Sequence, residues 1–321
     1  MSLSSFTDTA DGSPSLTRWA WLSITAALAT IGLKFWAYYL TGSVGLLSDA
    51  LESIVNLAAA IIALIALTIA SRPADIRHHF GHGKAEYLSA GIEGLMIFVA
   101  ALVILIAAIQ RLIDPNALEE VGIGLIITMA ATAINAVVGS VILRVGRKHR
   151  SITLVADGKH LLTDVWTSIG VIIGVGLVAL TGWLPLDSLV AIAVGLNICW
   201  VGFGLLRSAV RGLMDHAMAP EDEATVFSIL QSFVAESPRH DLAFHALQTR
   251  ESGRERFISM HVLVPGKWTI TEGHDLVERV EDAIKSALPN SRVLTHLEPL
   301  EDRRAYDDAG EGHTGLDTSR S

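Results

Sequence analysis

Cysteine is almost absent from this chain of 321 residues, because Cys199 is its single cysteine. One thiol can form neither an intrachain disulfide nor a cluster of thiolate ligands. We interpret Cys199 as a small apolar residue within a hydrophobic run. The sequence therefore excludes a disulfide-stabilised scaffold and a metal site built from cysteines.

Basic residues and the common enzyme motifs are also scarce. The chain has 24 Lys and Arg against 33 Asp and Glu, which gives a formal net charge of −9. It has no basic, aromatic-rich stripe, so we expect no nucleic-acid partner. It also has no HExxH pair, no GxSxG turn and no Walker-type loop. We therefore predict that the protein is not an enzyme, and a membrane metalloenzyme is disfavoured.

Apolar residues, by contrast, are abundant and gathered in long runs. Hydrophobic residues make up 51% of the chain, and the mean hydropathy is +0.46. A helix needs about 20 mostly apolar residues to cross a lipid bilayer. Six runs reach that length, at residues 16–40, 44–70, 87–109, 121–143, 152–180 and 186–206. We predict a polar N-terminal tail over residues 1–15 and an all-α domain of six transmembrane helices over residues 16–212.

The distribution of basic residues predicts how this domain is oriented. Basic residues in short loops mark the cytoplasmic side of a membrane. They occur between the second and third runs and between the fourth and fifth, as Arg72, Arg77, Lys84, Arg144, Arg147, Lys148 and Arg150. We therefore expect both termini in the cytoplasm. The first fifteen residues lack the features of a cleaved signal peptide, and together with the short loops this favours a bacterial inner (plasma) membrane.

The composition changes to a polar segment after Arg211. Residues 221–236 and 272–288 have helical spacing, whereas residues 243–249, 257–264 and 292–297 have the pattern of strands. We predict a small α+β cytoplasmic domain over residues 213–302. The remaining residues, 303–321, are rich in Asp, Gly and Ser and are predicted to be a disordered tail.

Acidic and polar residues inside two of the apolar runs need an explanation. An ionised side chain at mid-bilayer costs about 3 kcal/mol even on a lenient insertion scale. The second run contains Asp49, Glu52 and Asn56, and the fifth contains Asp157, His160 and Asp164. A spacing of four places Glu52 with Asn56, and His160 with Asp164, on one helical face. Two such faces can enclose one ion, although they could instead join helices by hydrogen bonds.

These oxygen and imidazole groups indicate which ion would suit the site. A four-coordinate site of this kind suits zinc, and with less geometric fit ferrous iron, cobalt, nickel or manganese. Copper(I), which prefers thiolates, is disfavoured.

Two further groups of histidines lie outside the runs. Asp75, His78, His79 and His82 fall within eight positions of one loop, which is dense enough to bind a metal ion or is simply a solvated polar loop. In the C-terminal segment, His245 and His261 lie in predicted strands. His296 and Glu298 share one face of the last strand, where they form a site or are merely exposed.

The segments 43–49 and 156–160, which lead to Glu52, Asn56 and Asp164, are similar to the signature of the cation diffusion facilitator family. The bacterial zinc and ferrous-iron efflux branch matches best, from about Trp19 to Glu298. The resemblance implies a homodimer with six transmembrane helices and a ferredoxin-like, metallochaperone-like cytoplasmic domain. It also implies that the cytoplasmic domain binds metal, and we hypothesise that metal bound there and at the loop regulates transport.

The resemblance also implies the roles of individual residues. The transport site would consist of Glu52, Asn56, His160 and Asp164. We add Asp49, one turn before Glu52, as a candidate ligand or outer-shell base that would compensate for the charge missing at Asn56. The loop site would be Asp75, His78 and His82, and Lys84 would form an interdomain ion pair with Asp215. Two zinc ions near the dimer interface would be held by His245, His261, His274, His296 and Glu298. The family usually has Asp or His followed by Asp where this chain has Glu52 and Asn56.

The predicted function is a proton-coupled antiporter that exports divalent transition-metal ions from the cytoplasm. Zinc is the foremost substrate, with iron, cobalt, nickel, manganese and cadmium as alternatives. Metal ligands must lose their protons to bind, so metal and protons compete for one site. The alternative is a membrane-bound sensor or store that binds metal without moving it.

Overall fold

The computed structural model describes residues 16–41, 44–113, 122–183, 185–237 and 241–306. Its contacts divide the chain into two units, with the division between Val210 and Arg211. The first unit is helical, and its helices are α1 (Thr17–Thr41), α2 (Val44–Ala70), α3 (Ala85–Ile113), α4 (Gly122–Lys148), α5 (Ile152–Thr181) and α6 (Pro185–Leu213).

All six helices of the first unit are long enough to cross a membrane. Among the described residues, five helices are also apolar enough along a continuous stretch, and α5 is the exception. With 30 residues, α5 extends about 45 Å at 1.5 Å per residue. Its first half carries Asp157, Lys159 and Asp164, whereas its second half, from Val165 onward, has no Asp, Glu, Lys or Arg. The predicted fold class, with six membrane helices, is confirmed.

Glycines allow α4 and α5 to approach each other closely. A Cβ atom added to Gly146 would lie 2.7 Å from the backbone nitrogen of Val155, and one added to Gly158 would lie 2.7 Å from that of Leu143. Small residues at such contacts let helix backbones pack in the absence of a hydrophobic driving force between helices. The close contact holds the polar half of α5 next to α4.

Hydrogen bonds fix the first turn of α5 against the first turn of α3. Ser151 caps α5 by accepting a bond from the backbone N–H of Leu154. Its hydroxyl also donates to the buried carboxylate of Glu86, and the hydroxyl of Thr153 donates to the Glu86 carbonyl oxygen at 3.2 Å. These bonds satisfy polar groups at a helix start that would otherwise lack partners.

The second unit contains α7 (Pro220–Glu236), β1 (Ala243–Ser252), β2 (Glu255–Val264), α8 (Ile270–Ala287) and β3 (Ser291–Pro299). The sheet order is β1-β2-β3, with β1 and β2 antiparallel and β2 and β3 parallel. Both helices pack on one face of the sheet, against side chains such as Ile258, Met260 and Val262. Because strand side chains alternate, the residues between these face the other side. The predicted α+β class is confirmed.

The predicted start of the disordered tail needs a correction. Residues Arg303–Tyr306 form a 3-10 turn, although the sequence analysis assigns them to the tail. The reason is that Ala305 is buried against Ala243 and Leu263 on the outer face of the sheet. The predicted N-terminal tail and residues 307–321 lie outside the described residues.

Candidate metal sites

The polar faces of α2 and α5 meet. The Oδ1 atom of Asn56 lies 2.7 Å from Nε2 of His160, and the Nδ2 atom of Asn56 donates a hydrogen bond to the carboxylate of Asp164. Asn56 and His160 are buried. The Nδ1 atom of His160 is also buried and has no hydrogen-bond partner among the described residues. One amide, one imidazole and one carboxylate from two helices therefore form a compact cluster, which we call the membrane cluster.

A third helix reaches the same cluster. The Nδ2 atom of Asn135, on α4, lies 3.4 Å from Oδ2 of Asp164. Sequence reasoning missed Asn135 because it is an isolated amide without an acid or a histidine one turn away. Its position inside an apolar run was the signal that could have found it.

Glu52 and Asp49 both lie on α2, but their side chains are outside the described part of the structure. Glu52 is one helical turn before Asn56, which places both on one face. Their roles as ligands stay predictions.

Two more acids are buried between the membrane helices, and neither is among the predicted ligands. Asp157 accepts a hydrogen bond of 2.9 Å from the hydroxyl of Ser23, and Glu93 accepts one of 3.2 Å from Ser89. The two carboxyl groups are close enough to interact electrostatically. Sequence reasoning missed Glu93, which is the second acid of α3.

The predicted loop ligands come together between α2 and α3. Asp75 lies 3.1 Å from Nδ1 of His78 and 3.5 Å from Nε2 of His82. Candidate ligand atoms of these residues lie within 4.8 Å of one another. The backbone N–H groups of Arg77 and His78 donate to the Asp75 carboxylate and hold its pKa below the usual value. Asp75 therefore remains an anion at neutral pH and is suited to a cation.

The C-terminal histidines form a row across the sheet, on the face opposite the helices. His245 on β1 pairs with His261 on β2, which pairs with His296 on β3. The Oε2 atom of Glu298 lies 3.1 Å from Nε2 of His245 and 3.2 Å from Nδ1 of His261. The Nε2 atom of His296 lies 3.4 Å from Oε1 of Glu298, and the side chain of His296 is 66% exposed. We call His245, His261 and Glu298 the sheet cluster.

A β-bulge in β1 produces this alignment. The pairing shifts between His245 and Gln248, so that Ala246 and Leu247 together stand opposite Met260. Ala246 has a φ of 52°, a left-handed conformation that is uncommon outside glycine. The extra residue allows His245 to lie on the outer face while Leu247 stays in the core.

Three predicted residues are not brought to a site within one unit. His274 lies on α8 with its side chain 62% exposed, and its Nδ1 is 4.0 Å from Glu278. Asp215 forms an ion pair of 3.1 Å with Arg250. Lys84 belongs to the first unit and Asp215 to the second. The role of His274 and the pairing of Lys84 with Asp215 stay predictions.

Comparison with known proteins relates both units to one class of protein. Residues 20–214 match the family model of the cation efflux transmembrane domain. Residues 220–300 match the model of the cytoplasmic domain of cation efflux proteins.

Individual relatives cover most of the chain. An uncharacterized transporter of Synechocystis sp. is 51% identical over 90% of this chain and 92% of its own length. The cation-efflux pump FieF of Citrobacter koseri is 33% identical over 83% of this chain and 87% of its own. The metal-bound C-terminal domain of the CzcD transporter from Thermotoga maritima is 22% identical. It covers 27% of this chain and 99% of that one, with a TM-score of 0.23.

Proposed function

Because this chain belongs to the cation efflux family, the cation diffusion facilitators, we propose that it exports divalent transition-metal ions in exchange for protons. Metal cation efflux by a multi-pass membrane protein follows from the family, which consists of transporters rather than enzymes. What we propose beyond this is the identity of the exported metal, with zinc and ferrous iron foremost, and the coupling of its export to protons. The observation that carries it is the membrane cluster of Asn56, His160 and Asp164.

The membrane cluster has the chemistry of an exchangeable cation site. Its groups offer an amide oxygen, an imidazole nitrogen and a carboxylate, and all three suit divalent transition metals. Glu52, one turn away on α2, would complete a set of four. Histidine and carboxylates must release protons before they bind a metal ion. Protons and metal would therefore compete for this site.

Competition becomes transport if the site opens alternately to the two sides of the membrane. Rigid rocking of helices around a fixed site is a common way to achieve this. Metal would load from the cytoplasm and be displaced by protons on the other, more acidic side. Export of a dication for one proton would cost about 2.3 kcal/mol per 100 mV of inside-negative potential, whereas exchange for two protons would be electroneutral.

The loop site and the sheet cluster would have a regulatory role. Basic loops support a cytoplasmic location for both termini, in a bacterial inner membrane. The family of the cytoplasmic domain supports a homodimer. His296 is exposed beside the sheet cluster, and His274 is exposed on α8, so both would be available to a partner subunit. Metal bound at these sites would stabilise the dimer by mass action.

The experiment is transport by the full-length protein in proteoliposomes. We expect zinc and ferrous iron to accumulate when the lumen is more acidic than the medium, and to accumulate little without the pH gradient. Cobalt, nickel, manganese and cadmium should be compared in the same vesicles. If the protein binds metal but moves none under any gradient, the sensor or store is the correct function.

Replacing His261 with alanine is expected to change regulation without stopping transport. The substitution removes one of the nitrogens beside Glu298, so higher metal concentrations would be needed to occupy the sheet cluster. The concentration for half-maximal flux should rise, by about tenfold, while the maximal rate is kept. The measurement is initial flux against metal concentration.

The matched control for this substitution is His216→Ala, which removes an exposed imidazole that bonds the adjacent carbonyl of Ala217. This control should leave the dependence of initial flux on metal concentration unchanged. Complete loss of flux in His261→Ala would contradict the division between a transport site and a regulatory site.

A further inference from the structure

Asn135 is a polar residue of the membrane cluster that the proposed ligand set does not include. We propose that its amide oxygen is an additional ligand of the transported ion, and that this ligand favours ferrous iron and manganese relative to zinc. The inference rests on the proposed function, since it refines the substrate class of the same site.

The first argument is the state of the Asn135 side chain. It is 2% exposed, and its Oδ1 atom is buried without a hydrogen-bond partner among the described residues. A buried polar atom without a hydrogen-bond partner destabilises the folded protein. A buried polar group without a partner therefore needs an explanation, and one explanation is that it contacts a ligand that is bound during function.

The second argument is the position of the amide. Its Nδ2 atom is 3.4 Å from Oδ2 of Asp164, so the amide group lies beside a carboxylate that would hold the ion. A cation at Asp164 would repel the N–H groups of Asn135 and attract its oxygen. Rotation of the amide plane of Asn135 would exchange the positions of Oδ1 and Nδ2. The space at the site permits this exchange because the two atoms are of nearly equal size.

The backbone of α4 holds Asn135 at this distance. Gly139, one turn further along α4, approaches α5 so closely that an added Cβ would be 2.9 Å from that of Leu161. The close packing of the two helices therefore holds the backbone of Asn135 beside the cluster.

The third argument is the composition of the enlarged site. Asn56, Asn135, His160 and Asp164 give three oxygen-bearing groups and one nitrogen ligand among the described residues. Glu52 would be a fifth group. Structural zinc sites are satisfied by four ligands, whereas manganese and ferrous iron accept six, and oxygen ligands suit manganese. An added amide oxygen therefore benefits the metals of higher coordination number.

The test compares metals in the full-length protein reconstituted in vesicles with an acidic lumen. The variants are Asn135→Ala, which removes the ligand, and Asn135→Asp, which keeps an oxygen at the same position. The matched control is Asn197→Ala, which removes an exposed amide from α6. Initial rates are measured with manganese, zinc and, without oxygen, ferrous iron.

In Asn135→Ala we expect KM for manganese and ferrous iron to rise by about tenfold or more, and KM for zinc by less than about threefold. Asn135→Asp should restore the KM for manganese, and Asn197→Ala should change nothing. An equal change for all three metals would overturn the inference, because a residue that only orients Asp164 acts on every metal alike. No change for any metal would overturn it as well.

The outcome also separates this inference from the proposed function. If the wild-type protein moves no metal, the proposed function fails and the inference fails with it. If the wild-type protein moves metal and Asn135→Ala keeps its metal preference, only the inference fails.

Discussion

Replacing Asp164 with alanine is expected to abolish metal efflux. Asp164 is the one carboxylate among the described residues of the membrane cluster, and it accepts hydrogen bonds from the amides of Asn56 and Asn135. Its loss would remove the charge that, in the proposed site, compensates a dication inside the membrane. We expect initial flux in vesicles to fall by at least about 100-fold. Loss of a residue that only orients a metal ligand already costs up to about 100-fold, and Asp164 is proposed as a ligand itself.

The alanine variant could also lose flux by misfolding, because it leaves two buried amides without an acceptor. Asp164→Asn retains an acceptor of nearly the same shape and should lose flux equally. Asp282→Ala removes an exposed acid from α8 and should transport normally. Substantial flux in a correctly inserted Asp164→Asn protein would contradict the proposed site.

The second large effect is expected from Gly158→Ala. An added Cβ at this position would lie 2.7 Å from the backbone nitrogen of Leu143 and 2.9 Å from its Cα. Backbone atoms cannot move aside as the end of a side chain can, so α4 and α5 would separate. Overpacking of this kind costs about 1–3 kcal/mol. The separation would also disturb His160 and Asp164, which lie within two turns of Gly158 on α5.

We therefore expect a lower midpoint of thermal unfolding in detergent and a loss of flux. Gly204→Ala on α6 is the matched control, since nothing lies within 4 Å of its added Cβ. Replacing a helical glycine by alanine without strain stabilises a protein by about 0.4–1 kcal/mol. The two identical substitutions should therefore shift the midpoint in opposite directions, and equal shifts would contradict the close approach of α4 and α5.

The sequence predicted the parts of the fold and site that depend on local periodicity. Length and apolar composition identify membrane helices because a bilayer has a fixed thickness. The four-residue spacing of His160 and Asp164 places them on one face in any α-helix. The loop residues Asp75, His78 and His82 come together because they are close in the chain.

Features that depend on distant parts of the chain could not be predicted in this way. The row of His245, His261 and His296 requires both a bulge in β1 and the register of a parallel pair. No local pattern specifies either one. Asn135 contributes to the membrane cluster only because α4 packs against α5, and a single amide in an apolar run does not indicate its neighbour. The burial of Ala305 likewise depends on the outer face of a sheet formed by other residues.

The bonds from Ser151 and Thr153 to Glu86 have a mechanical consequence. Glu86 begins the helix that directly follows the histidine loop, and the two hydroxyls begin the helix that carries His160. These two bonds link the beginnings of α3 and α5. We expect a tilt of α5 that exposes His160 to one side of the bilayer to shift the start of α3 as well, and with it the end of the loop that carries His82.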